Sequence, residues 1–77
     1  MNTAPGRMRA ALEARDAKGM FEASHELKGL YASLGLSPLY DLCSEIVEIA
    51  RAGSLEGTAE LLAQLEEMHS EIVKLAS

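Results

Sequence analysis

The sequence predicts an all-α protein, an up-and-down antiparallel helical bundle, and three observations carry that prediction. Leucine and alanine dominate the composition, glutamate outnumbers aspartate ten to two, and valine, isoleucine and threonine are scarce. Small and straight-chain residues lose little rotamer freedom in a helix, so this mix favours helix over strand. Apolar residues also recur at i, i+3 and i+4 along three stretches of the chain. Finally, glycine, proline and cap residues divide the chain into segments joined by short connections, which makes sequential helices antiparallel neighbours.

The elements follow in order. Thr3-Ala4-Pro5 opens a short helix through about Ala14, with Pro5 in the first turn where its missing N–H costs nothing. Asp16 is a good N-cap for a second helix, which runs to about Leu34 and stops at Gly35, a residue suited to the left-handed C-terminal position. Its apolar side is Met20, Ala23, Leu27, Leu30, Tyr31 and Leu34. Ser37-Pro38 reads as N-cap plus proline at the first helical position. The third helix then carries Leu39, Leu42, Cys43, Ile46, Ile49 and Ala50 and ends near Arg51 or Ala52, before Gly53. Ser54 is expected to cap the fourth helix, whose stripe is Leu61, Leu62, Leu65, Met68, Ile72 and Leu75.

At 77 residues the chain is expected to form one domain spanning 1–77, with a core only just large enough to fold alone. Its single cysteine, Cys43, cannot close an intrachain disulfide. No signal peptide is readable and no apolar run approaches a membrane span, so a soluble cytoplasmic protein without membrane contact is expected. The net charge of −5 argues against a nucleic-acid partner, whose phosphates would be repelled. That charge is uneven: residues 15–34 balance three cations against three anions, whereas 54–77 carry five glutamates and one lysine.

His25 stands out because it does not belong to its helix's apolar side. At roughly 100° per residue it lies about 160° from Leu27. Its neighbours on the outer surface are Lys18, Phe21, Glu22, Lys28, Gly29 and Ala32. A glycine inside a helix costs about 1 kcal/mol relative to alanine, so Gly29 asks for a reason. One turn beyond the histidine, it removes the side chain that would crowd the imidazole, and Ala32 keeps the following turn low. Lys28 supplies a point charge with three donors, suited to a phosphoryl oxygen. Glu22 is placed to accept from one ring nitrogen and leave the other for attack. A lone surface histidine beside a lysine is ordinarily only a solvated face; the mid-helix glycine is what sets this one apart.

These residues, His25-Glu26-Leu27-Lys28-Gly29 followed by Leu34-Gly35, Leu39, Leu42-Cys43 and Arg51-Ala52-Gly53, resemble histidine-containing phosphotransfer (HPt) domains. The likeness extends from about Phe21 to the C-terminal leucines, and its most specific part is His-x-Leu-Lys-Gly. It implies an HPt-like four-helix bundle, here with a shortened N-terminal helix. By the same resemblance His25 would be the phosphoacceptor, Lys28 would steady the phosphoryl group, and Gly29 would give the partner clearance. Lys18, Phe21, Glu22 and Ala32 would line the partner-binding surface. The partners implied are response-regulator receiver domains, a hybrid histidine kinase, or both. Such a protein is a phosphocarrier rather than an independent enzyme; it needs no cofactor, the magnesium ion being the receiver's. The alternative is a non-catalytic adaptor or inhibitor that docks a receiver or kinase without phosphotransfer.

The chain departs from the family pattern after Gly29, where small residues are usual and Leu30 and Tyr31 stand, both expected on the core side. It departs after Cys43 as well, with Ile46-Val47 in place of a Leu-Glu pair. The shortened first helix should leave one flank of the bundle uncovered, favouring a homodimer. His69, at the edge of the fourth stripe, is expected to be a half-buried structural residue. No spacing of histidine and cysteine suits a metal site.

Overall fold

In the computed structural model residues 4–76 are described, with side chains over 6–75. Four helices follow one another: α1 (Ala4–Glu13), α2 (Ala17–Leu34), α3 (Ser37–Arg51) and α4 (Thr58–Ala76). α1 packs on α2, α2 most extensively on α3, α3 on α4, and α4 back on α1, so that α2 and α4 face each other only across the diagonal. The expected antiparallel bundle is therefore present, in a body of 35 × 20 × 19 Å. Met8, Met20, Leu27, Tyr31, Leu39, Ile46, Leu62 and Leu65 fill its centre.

Each of the first three helices is closed by one residue with positive φ. At the end of α1 it is Arg15 (φ 57°); at the ends of α2 and α3 it is Gly35 (φ 72°) and Gly53 (φ 81°). In all three the following N–H reaches back five residues, Asp16 to the Ala11 carbonyl, Leu36 to Tyr31 and Ser54 to Ile49. This is the Schellman closure that satisfies the last carbonyls of a helix. Asp16 then caps α2 as expected, its carboxylate accepting from the Gly19 N–H at 3.0 Å. A β-carbon at Gly19 would come within 2.5 Å of that carboxylate, so the glycine leaves room for the cap.

Two cap expectations are corrected. Leu36, not Ser37, is the N-cap of α3, without a side-chain cap bond, and Pro38 lies one position further in. Leu36 closes α2 and opens α3 in a single residue, so Ser37 is already helical. Ser54 does not start α4; its hydroxyl accepts from the Glu56 N–H within a turn. That turn continues through Gly57 (φ 81°), and the helix begins at Thr58, whose hydroxyl is buried and donates to the Leu55 carbonyl at 2.6 Å.

Packing also redraws the apolar stripes. α2 buries Met20, Ala23, Ser24, Leu27 and Tyr31. Leu30 and Leu34, expected in the core, are exposed, Leu34 by 60%, as are Val73 and Leu75 of α4. The described part of α1 is also short. At 1.5 Å per residue a ten-residue α1 spans only about 15 Å, against about 27 Å for α2. Arg7 pairs with Glu26, and Arg9 makes a two-pronged pair with Glu66, so α1 lies against the first half of α2 and the middle of α4. Among the described residues, Leu30 and Leu34 of α2 and Leu75 of α4 stay exposed beyond it.

Candidate functional site

The buried strip of α2 leaves Lys18, Phe21, Glu22, His25, Lys28, Gly29 and Ala32 within an arc of about 120° on the other side. Lys18, Glu22, His25, Gly29 and Ala32 are exposed, and Phe21 and Lys28 are half-buried where the arc meets α3. The residues singled out from sequence thus form one continuous face. His25 stands at its middle.

The imidazole is not free to swing over the whole face. Its ring stacks on Phe21 one turn earlier, with centroids 5.8 Å apart and planes 28° from parallel. No hydrogen bond joins His25 to Glu22 among the described residues, so the proposed orienting acceptor is not engaged; the aromatic neighbour holds the ring instead. Phe21 packs inward against the core and carries the Arg51 guanidinium of α3 over its ring at 5.9 Å.

Next to the histidine in sequence, Ser24 is fully buried although polar. Its hydroxyl donates to the Met20 carbonyl at 2.6 Å and lies 3.2 Å from that of Phe21, so its polarity is satisfied inside the helix. The role escaped sequence reading, although Met20, Ser24, Leu27 and Tyr31 repeat at helical spacing. A satisfied serine at that spacing is as good a core residue as alanine.

Lys28 leans across the helix interface. Its ammonium lies over the Tyr40 ring of α3, 5.4 Å from the centroid. Its charge also reaches Cys43, where burial pushes the thiol up to about 12 and Lys28 opposes the rise. A fully buried thiol held in that form is inert and serves as core. Gly29 differs from the capping glycines in having no positive φ, and a β-carbon built there meets nothing within 4 Å. The protein's own packing gives no reason for it.

His69 lies on another side of the bundle, half-buried, its Nδ1 2.9 Å from the Tyr31 hydroxyl. That contact bridges α2 and α4 across the diagonal, and burial raises the Tyr31 phenol. Among the described residues no three His, Cys, Asp or Glu side chains gather as a metal site. No described helix is long and apolar enough to cross a membrane.

Arg51, noted from sequence only as part of the family resemblance, and Tyr40 are the residues that sequence reading did not assign to the site. Both come from α3, and no periodicity within α2 points to them. Only the extensive packing of α2 on α3 brings them to the histidine face.

No curated protein and no solved structure matches the chain. A family model, that of the Hpt domain, matches residues 4–74, nearly the whole length. With its four helices and its outward histidine, the chain belongs to the Hpt domain family, the phosphotransfer modules of two-component signalling.

Proposed function

We propose that His25 is the phosphoacceptor of a relay between receiver-domain aspartates. The unprotonated ring nitrogen attacks the phosphorus of a receiver's aspartyl phosphate. An N–P bond forms, the acyl phosphate P–O bond breaks, and the aspartate leaves as carboxylate while the other ring nitrogen keeps its proton. Transfer to a second receiver reverses these steps. Lys28, released from Tyr40, steadies the phosphoryl oxygens. Lys18, Phe21, Glu22 and Ala32 form the surrounding contact surface. The protein needs no cofactor of its own, and the magnesium ion belongs to the receiver.

The observation that carries this reading is Gly29. It stands one turn past an exposed imidazole, and an alanine there would clash with nothing in the protein. A helix that keeps so unfavourable a residue without an internal need is keeping clearance for something outside it.

The test is incubation with a phosphorylated receiver and magnesium, with His25→Gln as control. Acid-labile label on the wild type and none on the variant supports the relay. Equal binding without label would replace it by a docking adaptor or inhibitor.

A further inference from the structure

We infer that Tyr40 competes with the phosphoryl group for Lys28, and so tilts the phosphotransfer equilibrium away from His25 and toward delivery to a receiver. This rests on the phosphotransfer reading and adds to it a positioning residue on another helix. Tyr40 acts through Lys28 and touches no reacting atom.

The geometry gives one cation two places to be. The Lys28 ammonium lies 5.4 Å from the centroid of the Tyr40 ring. Among the described residues Lys28 forms no ion pair, so the ring is the partner that a phosphoryl group must displace. The charge is held toward the first turns of α3, since it is also felt at Cys43, three residues beyond Tyr40. Lys28 is half-buried where α2 meets α3, whereas Tyr40 is exposed by 36%. His25 stands three residues before Lys28, and helix residues at that spacing have β-carbons about 5–6 Å apart. The flexible four-carbon stem can turn to either goal. The ring is on α3 and the imidazole on α2, so the ammonium serves one at a time.

The consequence follows from linkage. With His25 bare, the ring holds the lysine and the contact stabilises the protein. With His25 phosphorylated, the lysine moves to the phosphoryl oxygens, where a charge-assisted hydrogen bond is the stronger interaction, and the ring contact is lost. Loading therefore breaks the contact and delivery restores it. Because coupling between two such events is reciprocal, the ring disfavours the phosphorylated state by as much as phosphorylation disfavours the ring contact. A cation–π contact of this exposure corresponds to about fivefold in the equilibrium constant. The bonds exchanged are those of the relay, N–P on His25 against P–O on the receiver's aspartate. Ring and lysine gain or lose no atom, and the lysine keeps its charge throughout.

The experiment uses the full chain in two ways. In the first, His25 is phosphorylated with phosphoramidate, a small donor that needs no receiver, and the Lys28 ε-methylene protons are followed by NMR. The Tyr40 ring current should displace them in the bare protein, and the displacement should vanish on phosphorylation. In the second, the chain is equilibrated with magnesium and a receiver domain encoded in its source genome, phosphorylated beforehand with acetyl phosphate. Tyr40→Leu should shift the equilibrium toward phosphorylated His25 about fivefold, whereas Tyr40→Phe, which keeps the ring, should stay within about twofold of wild type. In a Lys28→Ala background Tyr40→Leu should change nothing further, a result that a merely structural tyrosine would not give. Circular dichroism shows whether Tyr40→Leu is folded, and the wild-type NMR result decides if it is not. Lys28 signals still displaced after phosphorylation, or a wild-type equilibrium in Tyr40→Leu, would overturn the competition and leave the relay standing. A shift that persists in Lys28→Ala would overturn it as well. If no receiver exchanges label with His25, the relay fails and the NMR result alone decides the competition. If phosphoramidate does not label His25 either, both fail.

Discussion

The Lys28 ammonium rests on the face of Tyr40, 5.4 Å from the ring centroid, so the cation nearest in sequence to His25 is parked on the neighbouring helix. The position lies at the edge of the histidine face. From there the flexible stem can carry the charge to a phosphoryl group only by giving up the ring.

Lys28→Ala is therefore expected to act twice. Losing this half-buried cation–π contact costs about 1 kcal/mol of stability. Losing the charge should slow transfer at least about tenfold, which corresponds to roughly 1.4 kcal/mol in the barrier. Single-turnover transfer beside a urea melt separates the two effects. An unchanged rate would remove Lys28 from the mechanism.

Gly29→Ala should move stability and transfer in opposite directions. Its β-carbon enters open space, so the helix gains about 1 kcal/mol, or about 4–8 °C in Tm. Transfer to a receiver should fall, and fall further in Gly29→Leu. Faster transfer in either variant, or a lower Tm in Gly29→Ala, contradicts the clearance role.

Arg15 holds a left-handed conformation, φ 57°, that an L residue adopts at a cost of roughly 1–2 kcal/mol. Arg15→Gly removes that strain but adds freedom to the unfolded chain, leaving a net gain of about 0.5–1 kcal/mol. Chemical denaturation at pH 7 reads this directly. The site should be unaffected, since Arg15 lies in the α1–α2 turn.

Stability should fall in alkali. Burial holds the Cys43 thiol up at about 12 against an ordinary 9.0, so between those values the unfolded chain loses a proton that the folded one keeps. The stabilisation is complete below pH 9 and drains away as pH rises toward 12, at up to about 1.4 kcal/mol per pH unit. Tyr31, also raised by burial, adds to the loss above its ordinary value of 10.0. Urea melts from pH 7 to 10.5 should show the decline, with a shallower slope in Cys43→Ala.

The exposed Leu30 and Leu34 of α2 should support weak, concentration-dependent self-association. Light scattering from low to high micromolar protein should show a rising mass, lowered by Leu30→Ser with Leu34→Ser. A monomer throughout the range would dispose of the dimer.

The local features of this protein were legible in its residues alone. Helix positions, the Asp16 cap, the glycine stops after α2 and α3, and the outward side of His25 all follow from spacing within about a turn or two. What failed were features that depend on a neighbour. Leu30 and Leu34 satisfy the helical period as well as Leu27 does, yet they are exposed because the described part of α1 does not close over them, although Arg7 comes beside Leu30. Ser24 is buried because packing on the bundle interior outweighs the modest polarity of a hydroxyl that bonds its own helix. Ser54 has the chemistry of a cap, but the Gly57 turn delays α4 to Thr58.

The histidine face divides in the same way. Seven residues of α2 share it by periodicity, which is a property of one helix and needs no other. Phe21 as the support for the imidazole, Tyr40 as the resting place of Lys28 and Arg51 as the cation over Phe21 were decided by α2 packing on α3. A helix's own period says which way a side chain points; what it meets there depends on contacts between segments far apart in the chain, and only the folded bundle sets those.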